Sequence, residues 1–218
     1  SADFICLLAN TSDDKVHVNK SLIVVPMNTP GVTVGAKLNK LGMRSSETAQ
    51  VFFDNVRVPK THLLGEEGMG FVYLMQELPQ ERLSVALAAI ANAEAILQQT
   101  VDYVKERSAF GRPVAAFQNT QFKLAEIDTD ITVARVFIDK CIELHCDGEL
   151  DVVTAAKSKL MSTELQCRII DECLQLHGGY GYMLEYPVAR AYADARVQRI
   201  YAGTNEIMKL IIGREILK

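Results

Sequence analysis

The stretch Gly65-Glu66-Glu67-Gly68 is where the sequence changes its period, and its two sides read differently. Upstream, β-branched and apolar runs stand between turn residues. Residues 4–9, 20–26 and 48–58 read as strands. Leu22-Ile23-Val24-Val25 is closed by Pro26, and Val51-Phe52-Phe53-Asp54-Asn55-Val56-Arg57-Val58 partly alternates up to Pro59. Asn10-Thr11-Ser12-Asp13-Asp14 and Asn28-Thr29-Pro30-Gly31 supply the turns. Downstream, apolar residues recur at helical spacing. Residues 69–106 carry Ala86, Ala88, Ala89, Ala91 and Ala93, small enough for helices to approach closely; Pro79 is expected to kink or restart the helix. Residues 118–146 form a second helix, striped by Leu124, Ile127, Ile131, Ala134 and Ile138 and ended by Asp147-Gly148. Residues 151–176 form a third, stopped by Gly178-Gly179, and Thr204 caps a last helix over roughly 205–217. Long helices with short links pack as a bundle. The fold class is α+β: a partial antiparallel β-domain over 1–66, then a C-terminal four-helix bundle over 67–218.

Composition narrows the function classes. With 23 Lys and Arg against 27 Asp and Glu, the net charge is −4 and no basic block is present, which argues against nucleic acid and anionic membranes. At 49% hydrophobic and 23% charged, the chain has the balance of a packed globule, so global disorder is excluded. No apolar run reaches the ~20 residues that span a bilayer. Five cysteines in 218 residues are too sparse for a disulfide framework and suit a reducing compartment. The opening Ser1-Ala2-Asp3 runs straight into the apolar Phe4-Ile5-Cys6-Leu7-Leu8-Ala9 with no initiating Met, as expected of a fragment or a processed chain.

Local motifs leave the chemistry open. His177-Gly178-Gly179-Tyr180-Gly181-Tyr182 does not fit GxGxxG, because position 184 is Leu and no strand precedes it; it also lacks the Gly-Lys-Ser/Thr of a phosphate loop. It reads either as a helix C-cap turn or as backbone exposed to a flat or anionic ligand. Cys141 and Cys146 with His145 have no second ligand cluster, so no metal site is expected. His17 and His62 fall in loops and read as solvated.

Several motifs, in order along the chain, carry a resemblance. Gly42-Met43-Arg44-Ser45-Ser46-Glu47-Thr48-Ala49 and Phe53-Asp54-Asn55-Val56-Arg57-Val58-Pro59 come first, then Glu106-Arg107-Ser108-Ala109-Phe110-Gly111-Arg112-Pro113 with Phe117-Gln118. Gln175-Leu176-His177-Gly178-Gly179-Tyr180-Gly181-Tyr182, Glu185-Tyr186-Pro187, Arg190, Asp194-Ala195-Arg196 and Ile200-Tyr201-Ala202-Gly203-Thr204-Asn205-Glu206-Ile207 follow. Together they resemble the acyl-CoA dehydrogenase family over essentially all 218 residues. The resemblance implies an N-terminal helical domain, absent here, before the β-domain and bundle.

It also implies FAD as cofactor and α,β-dehydrogenation of an acyl-CoA to the trans-2-enoyl-CoA in fatty-acid β-oxidation. An electron-transferring flavoprotein would receive the electrons. A carboxylate must take the weakly acidic α-proton in a water-poor site. The family's commoner base follows the Tyr of a Tyr-Xaa-Gly-Thr motif, where this chain has Ala202. A long-chain and isovaleryl-like branch places it before an Arg on an early bundle helix, where this chain has Glu81-Arg82. Glu81 is therefore the expected catalytic base. Read alone it is a solvated helix carboxylate. Glu77, Glu185 and Glu206 compete less well: Glu206 complements a helix dipole, and Glu185 looks structural.

By the same resemblance the cofactor contacts are Arg107, Phe110, Gln118, Gln175, Leu176, His177, Gly178, Gly179, Thr204, Asn205 and Glu206. The substrate contacts are Gln80, Arg82, Ala202 and Gly203. Arg107, Gln118 and the turn from Gln175 to Gly179 would serve the FAD of a neighbouring subunit, which implies a homodimer or homotetramer. The expected compartment is a bacterial cytoplasm or a mitochondrial matrix. The relocated base leans toward long acyl chains. Two rivals stand: a flavin acyl-CoA oxidase, usually a longer chain, and a non-catalytic oligomerising bundle.

Overall fold

The computed structural model describes residues 2–218, arranged as two compact units, one up to Glu77 and one from Leu78 to Lys218. In the first, β1 (Phe4–Asn10) pairs antiparallel with β2 (Lys20–Pro26) in the register Phe4↔Pro26 to Asn10↔Lys20. β3 (Val32–Val34) pairs with β4 (Val51–Phe53). A two-residue strand, β5 (Leu63–Leu64), adds antiparallel to β2. Strand β4 is far shorter than the 48–58 read from sequence. Asn55 turns into the left-handed region at φ 50 and the Asp54 N–H is taken by Gly31, so the ladder ends at Phe53. Val56 and Val58 are apolar but unpaired in any ladder of the described residues. His62 is not solvated: it is half-buried in a 3₁₀ turn, and its Nδ1 donates to the Val24 carbonyl at 3.0 Å. His17 lies with its ring 4.5 Å from that of Phe71.

Helix α1 (Gly70–Glu106) starts against β2. A Cβ on Gly70 would stand 2.8 Å from the Leu22 nitrogen, so only glycine permits that approach. Pro79 neither restarts nor ends α1, which runs on as one helix. Pro79 removes one donor from the ladder. The inward residues Leu83, Ala86, Ala89, Ile90 and Ala93, at helical spacing just beyond it, are buried and hold the helix in place.

The bundle is completed by α2 (Gln118–Cys146), α3 (Val152–His177), α4 (Pro187–Ala195) and α5 (Asn205–Ile216). A hairpin of β6 (Ser108–Ala109) and β7 (Arg112–Pro113) links α1 to α2. The core draws on four helices: Ala93 and Ile96 of α1, Ile127 and Ile131 of α2, Ile169, Ile170 and Cys173 of α3, and Val188, Ala191 and Ala195 of α4. A second cluster joins Ala86 and Ile90 to Ala134 and Ile138. At α3 the Asp151 carboxylate accepts the Val153 and Thr154 N–H groups, and Gly178 at φ 57 stops the helix. Thr204 caps α5 by accepting from the Ile207 N–H. No helix is long and apolar enough to cross a membrane.

Candidate functional site

Two clusters of chemistry-bearing residues form at different places along the bundle. The first is a cleft of about 510 Å³ between the end of α1 and the end of α3, lined by Arg107, Gln175, Leu176, His177, Gly178 and Gly179. Tyr103, Val114, Tyr180 and Met183 complete its wall. Six of the eleven residues expected at a cofactor are thus brought together. The wall is rigid for local reasons. Tyr103 stacks on the His177 ring at 4.3 Å and donates its hydroxyl to the His177 carbonyl at 3.1 Å. His177, buried, donates through Nδ1 to the Cys173 carbonyl at 2.8 Å, which fixes its ring against that of Tyr103. Burial pushes the Tyr103 phenol up, and the charge of Arg107 opposes that shift.

The lip of the cleft is different in character. The Arg107 guanidinium lies 5.7 Å from the centre of the Tyr180 ring, and the residue itself is exposed. Gly178 and Gly179 present bare backbone, with nothing within 4 Å of where a Cβ would stand. An aromatic wall, a guanidinium and unobstructed peptide suit a ligand that joins a planar ring to a phosphate group, as a flavin adenine dinucleotide does.

Phe110 and Gln118 lie apart from this wall. Phe110 sits at the tip of the β6–β7 hairpin at φ 52, 95% exposed, touching only Phe117 edge-on among the ring contacts of the described residues. Gln118 opens α2 and is exposed.

The second cluster surrounds the turn before α5. Ala202 (φ 52) and Gly203 (φ 88) both take left-handed backbone, which for Ala202 is strained. The turn is tied to α3 from within. Lys159, fully buried, donates through Nζ to the Gly203 carbonyl at 2.9 Å and to Asn205 Oδ1 at 2.8 Å. Asn205 Nδ2 donates in turn to Thr163 Oγ1 at 3.0 Å and Glu164 Oε1 at 2.7 Å. Asn205, expected at the cofactor, therefore has its amide engaged inside the bundle. Thr204 is occupied as a cap, and Glu206 is exposed in the first turn of α5. The carboxyl of Glu206 is held below the usual range by its own N–H and by the Thr204 hydroxyl, with Lys209 and Lys159 adding to the effect.

Glu81 and Arg82 lie on the early part of α1. Glu81 and Gln80 are exposed in this chain, while Arg82 is buried and its Nε finds no hydrogen-bond partner among the described residues. Burial pulls the Arg82 guanidinium below the ordinary arginine range, and the charge of Glu81 opposes it. Burial likewise lowers the Lys159 ammonium, helped by Arg82 and opposed by Glu164 and Glu206. Arg82, Lys159 and the 202–206 turn therefore share one electrostatic neighbourhood. Lys159 has no counterpart in the sequence reading. Its only signal was position: it falls on the inward stripe Ala155, Ala156, Lys159, Thr163 and Gln166, where a lysine is out of place. Twenty-five residues of α1, about 37 Å of helix, separate Glu81 from Glu106 beside the cleft.

Comparison with known proteins bears on both clusters. Residues 68–217 match the family model described as acyl-CoA dehydrogenase, C-terminal domain. The chain is 53% identical over 197 residues to the mitochondrial long-chain specific acyl-CoA dehydrogenase of Mus musculus, covering 90% of this chain and 46% of that protein. It is 42% identical over 217 residues to an acyl-CoA dehydrogenase of Bacillus subtilis (strain 168), covering 100% of this chain and 57% of the relative. The crystal structure of an acyl-CoA dehydrogenase from Geobacillus kaustophilus superposes with a TM-score of 0.96 at 48% identity, over 99% of this chain and 57% of that one. The chain thus spans about half the length of the curated relatives it matches.

Proposed function

Since the chain belongs to the acyl-CoA dehydrogenase family, we propose that it works as part of an FAD-dependent enzyme that converts an acyl-CoA to its trans-2-enoyl-CoA, with Glu81 as the base. The observation that carries this reading is the second cluster: Glu81 stands beside a buried, incompletely bonded arginine, and the usual alternative base position holds Ala202 on a strained turn. Bound FAD would supply the acceptor for a hydride from the β-carbon. Glu81 takes the α-proton as that hydride leaves. The backbone amides of the 202–203 turn would receive the thioester oxygen and stabilise the charge that builds there. Bound substrate would exclude water around Glu81, which is exposed in this chain.

The separation of the two clusters supports an oligomer. With Glu81 and Glu106 about 37 Å apart along α1, Glu81 and the adjoining Arg107 of one chain are too distant to face one flavin ring. The cleft at Arg107 would therefore hold the FAD of a neighbouring copy, and the exposed Phe110 would lie against its adenine. Electrons would pass on to an electron-transferring flavoprotein. The 53% identity to a long-chain specific enzyme favours long acyl chains, in a mitochondrial matrix or a bacterial cytoplasm.

An absorption spectrum of the full-length protein tests the reading. Flavin bands that bleach anaerobically on addition of a long-chain acyl-CoA are the expected result; flavin bands that no acyl-CoA bleaches would refute the activity. In Glu81→Gln, flavin should stay bound while turnover falls by about a thousandfold or more. Near-normal turnover would remove Glu81 from the role of base.

A further inference from the structure

Lys159 heads the fully buried side chains by volume, and nothing in the proposed chemistry uses it. An ammonium is taken out of water only where acceptors replace its hydration. Both acceptors on Lys159 belong to the segment just after Ala202: the Gly203 carbonyl and the Asn205 side chain. The network continues into α3, where Thr163 Oγ1 donates to the Lys159 carbonyl at 2.9 Å and Asn205 donates to Thr163 and Glu164, and from Glu164 it reaches Arg199 at 2.7 Å. The ammonium therefore joins one rigid helix to one strained turn. Left-handed backbone at two successive residues persists where the surroundings hold it. Arg82, Glu164 and Glu206 are the charged groups whose fields reach Lys159, from α1, α3 and α5. Thus the turn, the arginine beside Glu81 and this lysine meet in one place.

We propose that Lys159 is a positioning residue for catalysis: by holding the Gly203 carbonyl it fixes the peptide planes of the Ala202–Gly203 turn, and so aligns the backbone amide that receives the thioester oxygen opposite Glu81. Lys159 touches neither substrate nor cofactor in this role. The inference rests on the acyl-CoA reading given above.

The test uses Lys159→Met in the full-length, flavin-loaded enzyme, which keeps the volume and removes the charge and donors. Displacing a reacting geometry by about 1 Å costs about a hundredfold in rate. The expected result is a kcat about a hundredfold lower, with KM, flavin content and calorimetric affinity for the trans-2-enoyl-CoA little changed. A merely structural lysine would instead lower the melting temperature and leave kcat of the folded fraction intact, and that outcome overturns the proposal. Should Lys159→Met not fold, Lys159→Arg keeps the charge but relocates the donors. The same kcat-selective loss is expected there, and unchanged turnover overturns the proposal equally. Failure here is separable from failure of the function. A parent enzyme that does not oxidise acyl-CoA removes the activity, whereas an active parent matched by an equally active Lys159→Met removes only the role of Lys159.

Discussion

Arg107 is exposed, beside Tyr180, at a lip of bare glycine backbone. If it grips a pyrophosphate carried by a second copy, affinity for the cofactor and self-association are one property read twice. Arg107→Ala is expected to weaken FAD binding at least about tenfold, the scale of one lost charged contact. The same substitution should shift the sedimentation profile toward smaller species. A variant that stays fully flavinated and fully assembled contradicts the cross-subunit contact. At this scale the motifs named residues that the structure brings to the wall of one cleft. Arg107 and the glycine turn were picked out through the family resemblance, since the local chemistry of the turn reads equally well as a helix C-cap. Lys159 was not, because a lysine in a helix reads by default as a solvated residue, and only the packed neighbours Ala155, Ala156 and Gln166 show it facing inward. Asn205 was expected at the cofactor from its place in the motif, and its side-chain amide bonds within the bundle.

Helix ends were legible where side chains cap them. Thr204 and Gly178 do locally what their residue types favour, and Asp151, read from sequence as the first residue of the third helix, is its N-cap. Asp151 offers a quantitative check. Its Oδ1 accepts the Val153 N–H at 2.8 Å and the Thr154 N–H at 2.9 Å, and its Oδ2 accepts the Thr154 hydroxyl. These bonds, that of the Thr154 hydroxyl foremost, hold its carboxyl below the usual range. A depressed folded pKa contributes stability that is present above the unfolded value and lost as pH falls through the folded one. Asp151→Ala should therefore cost about 1 kcal/mol near neutral pH, measured by urea unfolding. The difference should shrink below about pH 4 as the parent carboxyl takes its proton. A cost that is constant with pH would contradict the capping account. Short elements escaped the sequence. α4 is nine residues long, and the β6–β7 hairpin pairs only two residues on each side, so neither offers enough period to register. The 48–58 strand was over-read because Val56 and Val58 continue an apolar pattern past the Asp54-Asn55 turn that had already ended the ladder.

Across the whole chain, the bundle core is drawn from α1 to α4 at once, which makes its thiols reporters of global opening. Cys141 and Cys173 are fully buried, and burial pushes both thiols up, away from the reactive thiolate form. Cys6 and Cys146 are exposed. A thiol-reactive dye should label Cys6 and Cys146 in the native protein, and Cys141 and Cys173 only in denaturant. Fast native labelling of Cys173 would contradict the packing of α3 against α1 and α4. The α+β class and the three long helices were legible because spacing repeats over many turns. The partnership of α3 with turns at both of its ends was not, because it joins residues as far apart as Lys159 and Gly203.

That partnership constrains heredity as well as shape. Lys159 and Gln175 lie sixteen residues apart on one uninterrupted helix, about 24 Å. One codon gained or lost between them would swing one cluster about 100° relative to the other. Substitutions can accumulate along this span, but insertions and deletions are confined to the loops on either side, so an alignment of descendants of this sequence would run through α3 without a gap.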